Sequence, residues 1–575
     1  MKQSLFQALR CARPSCGRVG SRVPKRFNSN GPKSSPGANS GSNSGSGSSS
    51  GSISLGTAFA VASVAAAGSF FTARALYRHE SRSESIERSL TKPKYGTKKE
   101  FEQALPELEA AIGKNNISTD EEDLKSHGYS EWSTYNIDQM PIAIAYPSST
   151  EEVSKIAKIC HKYKLPMIGF SGGSSLEGHF CAPHGGICID FANMDKILQV
   201  RPDDMDCTVQ PSVGWMDLNE HLAKEGTGLF FAVDPGPTAK IGGMVATSCS
   251  GTNCVRYGPM RNHVINLTVV LADGTVIKTR GRPRKTSAGY NLNHLFSGSE
   301  GTLGLITEIT VKLEVVPEET AVAICSFPTV KDATSTAIEI LRAGIPVNAV
   351  ELMDDVQMWA VNKAGYTDKK YDEKPTLFFK FSGTKNYVKE QIAQSQDIAK
   401  SHGSKKFEFA RDELEKKQLW SARKELLWSM MAQGPPNCKA WSTDVAVPIS
   451  RLADLVETTK KEIVESGILG GALGHVGDGN FHSCIIYAEE DEEKVRKLCS
   501  KLVYHGLDME GTCTGEHGIG AGKMDYLADE VGADAVQLMR TIKLALDPHE
   551  LLNPGKLFTT ETIERRLAKE RATSS

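Results

Sequence analysis

The sequence predicts an α+β fold built from two main domains. Length sets the first bound: 575 residues, at about 150 per domain, allow two to four domains. A series of apolar strands separated by Gly/Ser/Thr-rich loops between residues 147 and 313 marks one domain. A later stretch of His, Gly and acidic residues, 474–518, marks another. The hydrophobic share of 39% and charged share of 24% are those of an ordinary globular body. The 13 cysteines are scattered, with no C-x-x-C pair, which excludes a zinc ribbon, a thioredoxin motif and a small disulfide scaffold.

The amino terminus differs in charge from the rest. Of the 67 Lys and Arg residues, ten lie in residues 1–79, which hold no Asp or Glu; the rest carries 57 basic against 69 acidic groups, a net of −12. An acidic body argues against nucleic acid as a partner, because a phosphate backbone selects basic surfaces. It suits a basic protein partner instead. Residues 1–29 are Arg-rich and acid-free, with Leu5, Phe6 and Leu9 at helical spacing, the composition of a mitochondrial transit peptide. Residues 31–52 are almost all Gly, Ser, Asn and Pro and read as a flexible linker. Residues 53–71 form an uncharged stretch of 19, just long enough to span a bilayer core. Transit peptide followed by stop-transfer segment suggests an anchor in the inner mitochondrial membrane, or a cleaved sorting segment. Residues 80–98 read as a polar stalk.

Regular patterning begins at Pro147. A capping box from Ser149 to Glu152 opens a helix carrying Val153, Ile156, Ala157, Cys160 and Tyr163 at helical spacing. Pro166 ends it. Met167–Phe170 is a short apolar strand running into Ser171-Gly172-Gly173-Ser174-Ser175, where glycines let backbone N–H groups approach an anion. Asp234-Pro-Gly-Pro then precedes Ile241-Gly-Gly-Met-Val-Ala-Thr247. Asp273-Gly274 is a hairpin signal, and Leu295–Gly304 leads into a strand at 305–313. Repeated Gly/Ser/Thr loops between strands suggest a long, polar, phosphate-bearing ligand. No G-x-G-x-x-G opens a helix after a strand, which disfavours a Rossmann fold, and Gly518–Lys523 fails the spacing of a P-loop.

In Gly474-His-Val-Gly-Asp-Gly-Asn-Phe-His482 two imidazoles flank a turn that can face them toward one point. Thr514-Gly-Glu-His-Gly518 adds a carboxylate beside a third His. Two His and one Glu make a metal site with open positions, although a His pair in a turn is also found with no metal. Arg423 lies on a helical pattern in Leu419-Trp-Ser-Ala-Arg-Lys-Glu425, where a solvated helix charge is the ordinary reading.

These segments resemble a known family. PMIGFSGGSSLEG, DPGPTAKIGGMVAT and LFSGSEGTLGLITE look like the FAD domain of the vanillyl-alcohol-oxidase, or PCMH-type, flavoproteins; GHVGDGNFH and GEHGIG look like the paired metal motifs of its D-2-hydroxyacid dehydrogenase branch. The likeness covers roughly residues 100–560. It implies a two-subdomain PCMH-type FAD-binding domain over 95–318, an antiparallel-sheet substrate (cap) and metal domain over 319–540, and a C-terminal helix in 541–575 that returns to the FAD domain. It implies FAD contacts from Ser171, Gly172, Gly173, Ser174, Ser175, Gly242, Gly243, Thr247 and Gly301. Ser174 stands where some relatives attach FAD through His, so non-covalent FAD is expected. His475, His482 and Glu516 would bind zinc or manganese, His517 would be the catalytic base, and Arg423 would grip the substrate carboxylate. The expected substrate is D-lactate or a related small D-2-hydroxy acid, and the expected electron acceptor is cytochrome c, met in the intermembrane space. D-2-Hydroxyglutarate is the rival substrate, an alkyl transferase the rival on the same fold, and a membrane-tethered binder without catalysis the rival from another class. The run 441–448 has no Lys or Arg for a distal carboxylate, although Lys439 is close.

Overall fold

The computed structural model describes residues 93–574. The expected transit segment 1–29, linker 31–52 and apolar segment 53–71 lie outside the described residues. Among the described residues no helix is long and apolar enough to cross a membrane.

The helix Thr150–Tyr163 begins where its sequence says, with Ser149 accepting from the Glu152 N–H. The reciprocal half of the capping box is shifted by one residue: Glu152 takes the N–H (2.7 Å) and hydroxyl (2.9 Å) of Ser148. Its buried stripe of Val153, Ile156, Ala157 and Cys160 packs on a four-stranded sheet. In that sheet Ala143–Ala145 and Met167–Phe170 both run parallel to Ile187–Asp190 between them, with Ile117–Ser118 antiparallel at the edge. A parallel pair joined through a helix is the right-handed crossover unit that leaves strand ends open for a ligand. A second, five-stranded antiparallel sheet follows. Its order is Ile197–Arg201, Asp206–Val209, Leu305–Lys312, Val264–Val270 and Val276–Lys278. The last two strands form the hairpin signalled by Asp273-Gly274, with Val270 opposite Val276.

Residues 319–487 build an antiparallel sheet of eight strands, against which helices pack on both faces. Alternation along Thr376–Gly383 shows why: Leu377, Phe379 and Phe381 join one core, while Phe378 joins the other. The second core is closed by the helices Asp355–Ala364, Glu413–Lys424 and Leu426–Met431, and this is the face that carries the site. The return expected of residues 541–575 is made by the helix Ala533–Leu546, whose Ile542 and Leu546 pack on the core of the five-stranded sheet and whose Lys543 Nζ donates to Thr302 O at 2.7 Å, and by the loop that follows it. Leu551 O accepts from Met167 N–H, and Asn553 N–H donates to Met167 O, each at 2.7 Å. The terminal helix Thr560–Ser574 instead packs on the helices Met524–Val531 and Ala533–Leu546.

Candidate active site

Loops from the first half pack on one another and on the short helix Ile241–Thr247. Ser171 follows its strand directly, and its hydroxyl meets Pro211 O (3.3 Å) and Ser212 Oγ (2.9 Å). Gly242 N–H donates to Pro211 O, while Gly298 and Glu300 N–H donate to Val245 O and Ala246 O. A Cβ on Gly172 would come within 3.0 Å of Thr238 O, and one on Gly242 within 2.5 Å of Pro211 Cβ. Gly243 faces open space, with nothing within 4 Å of a Cβ built on it, and Thr247 turns its hydroxyl back onto Gly243 O. Small residues holding backbone against backbone around an open strip fit a long, phosphate-bearing cofactor. The structure thus gathers the loop residues Ser171, Gly172 and Gly301 around the short helix Ile241–Thr247, which carries Gly242, Gly243 and Thr247; Gly173 reaches the positive φ of 59° that its turn requires.

The second cluster is built on a hairpin. Strand Leu469–His475 ends in one imidazole and strand Asn480–Tyr487 carries the other. Leu473 lies opposite His482, so His475 and His482 share a face. Glu516 reaches between them: its Oε1 is 3.4 Å from His475 Nε2 and 3.2 Å from His482 Nε2. Both Nδ1 atoms are engaged elsewhere, His475 with Glu351 Oε1 (2.7 Å) and His482 with Thr443 O (2.8 Å). Such outer partners fix the tautomer and leave each Nε2 lone pair for a metal. The donor set therefore fits a divalent ion held by two imidazoles and a carboxylate. Asp444, His482 and His517 form an overlapping set, but Asp444 Oδ2 already accepts from Thr514 Oγ1 and the N–H groups of Glu516 and His517, which suits it to shaping the loop.

Charge reinforces the geometry. Burial opposes charge on the His475 imidazole, but Glu351 and Glu516 at its two nitrogens raise its pKa well above the ordinary value. Burial likewise opposes ionisation of Glu516, and His475 and His482 outweigh it, holding that carboxyl well below the usual range. His517 stacks on His482 with ring centroids 5.4 Å apart and puts Nδ1 3.6 Å from Glu177 Oε1. Burial works against its charged form, while Asp444 and Glu177 raise its pKa. Arg423, on Glu413–Lys424, donates from Nε to Glu351 Oε2 at 3.2 Å.

Sequence reasoning missed the buried acids that organise the site. Glu351 joins Arg423 to His475, Asp444 holds the Glu516-His517 backbone, and Glu177 meets His517 and Lys523. Glu300 accepts from the N–H groups of Ile519 and Gly520, both at 2.7 Å, and so clips the GSEGTLG loop to the GEHGIG loop. The one available signal was an acid inside an apolar strand, as in Ala349-Val-Glu-Leu-Met353.

Comparison with known proteins agrees with this architecture. The family described as "FAD binding domain" matches residues 141–280, and "FAD linked oxidases, C-terminal domain" matches residues 316–557. Proteins named "D-lactate dehydrogenase [cytochrome], mitochondrial" from Kluyveromyces lactis and Arabidopsis thaliana are each 47% identical to this chain. The first alignment covers 82% of this chain and 83% of the relative, the second 80% and 82%. Among solved structures, p-cresol methylhydroxylase with substrate bound shares the fold at a TM-score of 0.68 and 19% identity, covering 81% of this chain and 98% of its own. Two family matches in sequence order, identity approaching one half over four-fifths of the chain, and a cofactor strip beside a His/Glu cluster lead to one conclusion: the chain belongs to the FAD-linked oxidases of the PCMH-type flavoprotein family and is an FAD-dependent oxidoreductase.

Proposed function

We propose that this enzyme oxidises D-lactate, or a closely related small D-2-hydroxy acid, to the 2-keto acid and passes the electrons to cytochrome c. The observation that carries the reading is the meeting of His475, His482 and Glu516, each imidazole turning its Nε2 to the carboxylate, beside Arg423 and the cofactor strip. The relatives' printed names supply the substrate and the class of acceptor. When bound, FAD accepts the C2 hydrogen with two electrons, and a zinc or manganese ion on His475, His482 and Glu516 supplies Lewis acidity at the hydroxyl.

The residues do the rest. Arg423 binds the substrate carboxylate, for which a planar guanidinium is suited. Glu351 holds Arg423 and His475 together, fixing the distance between carboxylate and hydroxyl subsites. His517 takes the hydroxyl proton on its imidazole, and Asp444 keeps the His517 backbone in place through its N–H. FAD would sit non-covalently on Ser171–Ser175, Gly242, Gly243, Thr247 and Gly301.

A small substrate is favoured over D-2-hydroxyglutarate by the position of Lys439. That residue is exposed and tied to Glu489 and Glu492 at 3.2 Å each, so it is not a distal-carboxylate partner. The mitochondrial names of the relatives and the acid-free leader support a mitochondrial location, with the body on the intermembrane side of the inner membrane where cytochrome c is met. Anaerobic mixing with D-lactate, L-lactate and D-2-hydroxyglutarate, followed by cytochrome c, is the test. D-Lactate should bleach the flavin fastest and cytochrome c should restore its colour. Bleaching by L-lactate or D-2-hydroxyglutarate in preference would overturn the substrate, and failure of cytochrome c to reoxidise the flavin would overturn the acceptor.

A further inference from the structure

The side chains of the site stand in a row across one face of the large sheet. Strands Thr376–Gly383, Ala349–Met353, Leu469–His475 and Asn480–Tyr487 lie side by side in that order. Lys380 is opposite Ala349, Glu351 opposite His475, and Leu473 opposite His482. Alternation puts Lys380, Glu351, His475 and His482 on the same face. With strands about 4.8 Å apart, Lys380 stands roughly one strand beyond Glu351 and two beyond His475. The helix Glu413–Lys424 covers this row with Trp420 and Arg423, three residues apart and therefore on one helix face. Arg423 lies over Glu351, and the Lys380 ammonium lies 4.0 Å from the centre of the Trp420 ring.

Lys380 takes no part in the chemistry described so far, and its ammonium has no acceptor among the described residues. The residue is half-buried. The two carboxylates that influence it most are Asp234 and Glu351. Asp234 is occupied by the Asn253 N–H (2.9 Å) and the Thr252 hydroxyl (2.6 Å). Glu351 is occupied by His475 and Arg423. No hydrogen bond or ion pair reaches Lys380 Nζ among the described residues; its one polar contact is the Trp420 ring. Burial lowers its pKa below the ordinary lysine value. A half-buried ammonium with no protein acceptor is only partly compensated, and an anion placed against it forms a charge-assisted hydrogen bond.

We infer that Lys380 is a second cation for the substrate carboxylate, approaching it from the side of Arg423 that faces away from His475 and His482. This rests on the reading that Arg423 takes the carboxylate. C1 is bonded to C2, so with the hydroxyl beside the two imidazoles and C1 over Glu351, the next position along the row belongs to Lys380. The residue sets affinity for the anionic group, and it takes a carboxylate in preference to a neutral amide.

The test uses the FAD- and metal-loaded enzyme, with oxalate binding read from the perturbed flavin absorbance and KM for D-lactate read separately. Lys380→Met keeps the stem against Trp420 and removes the charge. It should weaken oxalate binding and raise KM by about 10–100-fold, the range for a hydrogen bond to a charged group. Lys380→Arg should recover most of the loss. D-Lactamide, which has no carboxylate, should bind wild type and Lys380→Met within about threefold of each other, since no charged hydrogen bond is lost. Oxalate binding that changes by less than that, or an equal loss for D-lactamide, would overturn the proposal. If Lys380→Met does not retain flavin, Lys380→Gln is measured in its place against the same criteria. Failure of D-lactate to bleach wild-type flavin, or oxalate binding indifferent to Arg423→Lys, would instead remove the parent reading.

Discussion

At the scale of single residues the proposed roles separate groups that would hold a metal from a group that would move a proton. His475 and His482 have their Nδ1 atoms engaged by Glu351 and Thr443 O, and each presents Nε2 to Glu516. Replacing either His by Ala should release the metal and abolish activity together, while FAD stays bound, because the proposed cofactor contacts fall within residues 171–301 and the two imidazoles on the strands Leu469–His475 and Asn480–Tyr487. Elemental analysis beside the flavin absorbance of each variant checks this; full metal occupancy in both would remove the ligand assignment. His517 is a different case, since it stacks on His482 and is anchored through its backbone to Asp444. His517→Ala should keep both FAD and metal and slow flavin reduction by about 10²–10⁴-fold, the usual worth of a positioned general base. Stopped-flow reduction at a rate near that of wild type would show that another group takes the proton.

At the scale of elements the decisive contact is between two loops. Gly518 has φ of +84°, and a Cβ there would come within 2.7 Å of both Glu300 Oε1 and His179 Nε2. Gly518→Ala thus meets a backbone penalty and a clash with the acid that clips Ile519 and Gly520. It should destabilise the protein by about 1–3 kcal/mol and displace Glu516 and His517, lowering metal affinity as well. Gly344 is the control: its φ is +71°, but nothing lies within 4 Å of its Cβ, so Gly344→Ala should show the smaller, purely conformational cost and no change in metal affinity. Denaturant titration with a zinc-competition assay compares the two. The Leu551–Lys556 segment offers a second check. Lys556 donates to Cys181 O at 2.7 Å, and burial pulls its pKa down to about 8 from an ordinary 10.5. Between those values the unfolded chain holds a proton that the folded chain has lost, so this group makes stability rise with pH from about 8 to about 10.5. The slope of stability against pH in that window should be smaller in Lys556→Met than in wild type; equal slopes would mean the ammonium titrates normally.

At the scale of the whole molecule the acidic body bears on the acceptor. Residues 80–575 carry a net charge of −12, and attraction to a basic cytochrome extends over about a Debye length, near 8 Å at physiological salt. Reoxidation of the flavin by cytochrome c should slow steeply as ionic strength rises, whereas its reduction by D-lactate should change little. A salt-independent reoxidation would argue that charge plays no part in docking. The sequence by itself determined the α+β class, the family and the local pieces of the site. Strand-to-glycine junctions, the Asp273-Gly274 hairpin and the His-turn-His run are each set by a few adjacent residues, whose φ preferences and periodicity act over short distances. It was legible, for example, that a turn at Gly477–Asn480 would bring His475 and His482 together. Only the tertiary structure decided which acids serve them. Glu351 is 124 residues from His475, and Asp444 is 73 from His517, so no spacing rule links them. Strand order and sheet register bring Glu351 beside His475, and once buried there it is held by the imidazole and the guanidinium that compensate its charge. The same holds for Lys380, an unremarkable lysine between two phenylalanines until the register of four strands sets it in line with His475 and His482.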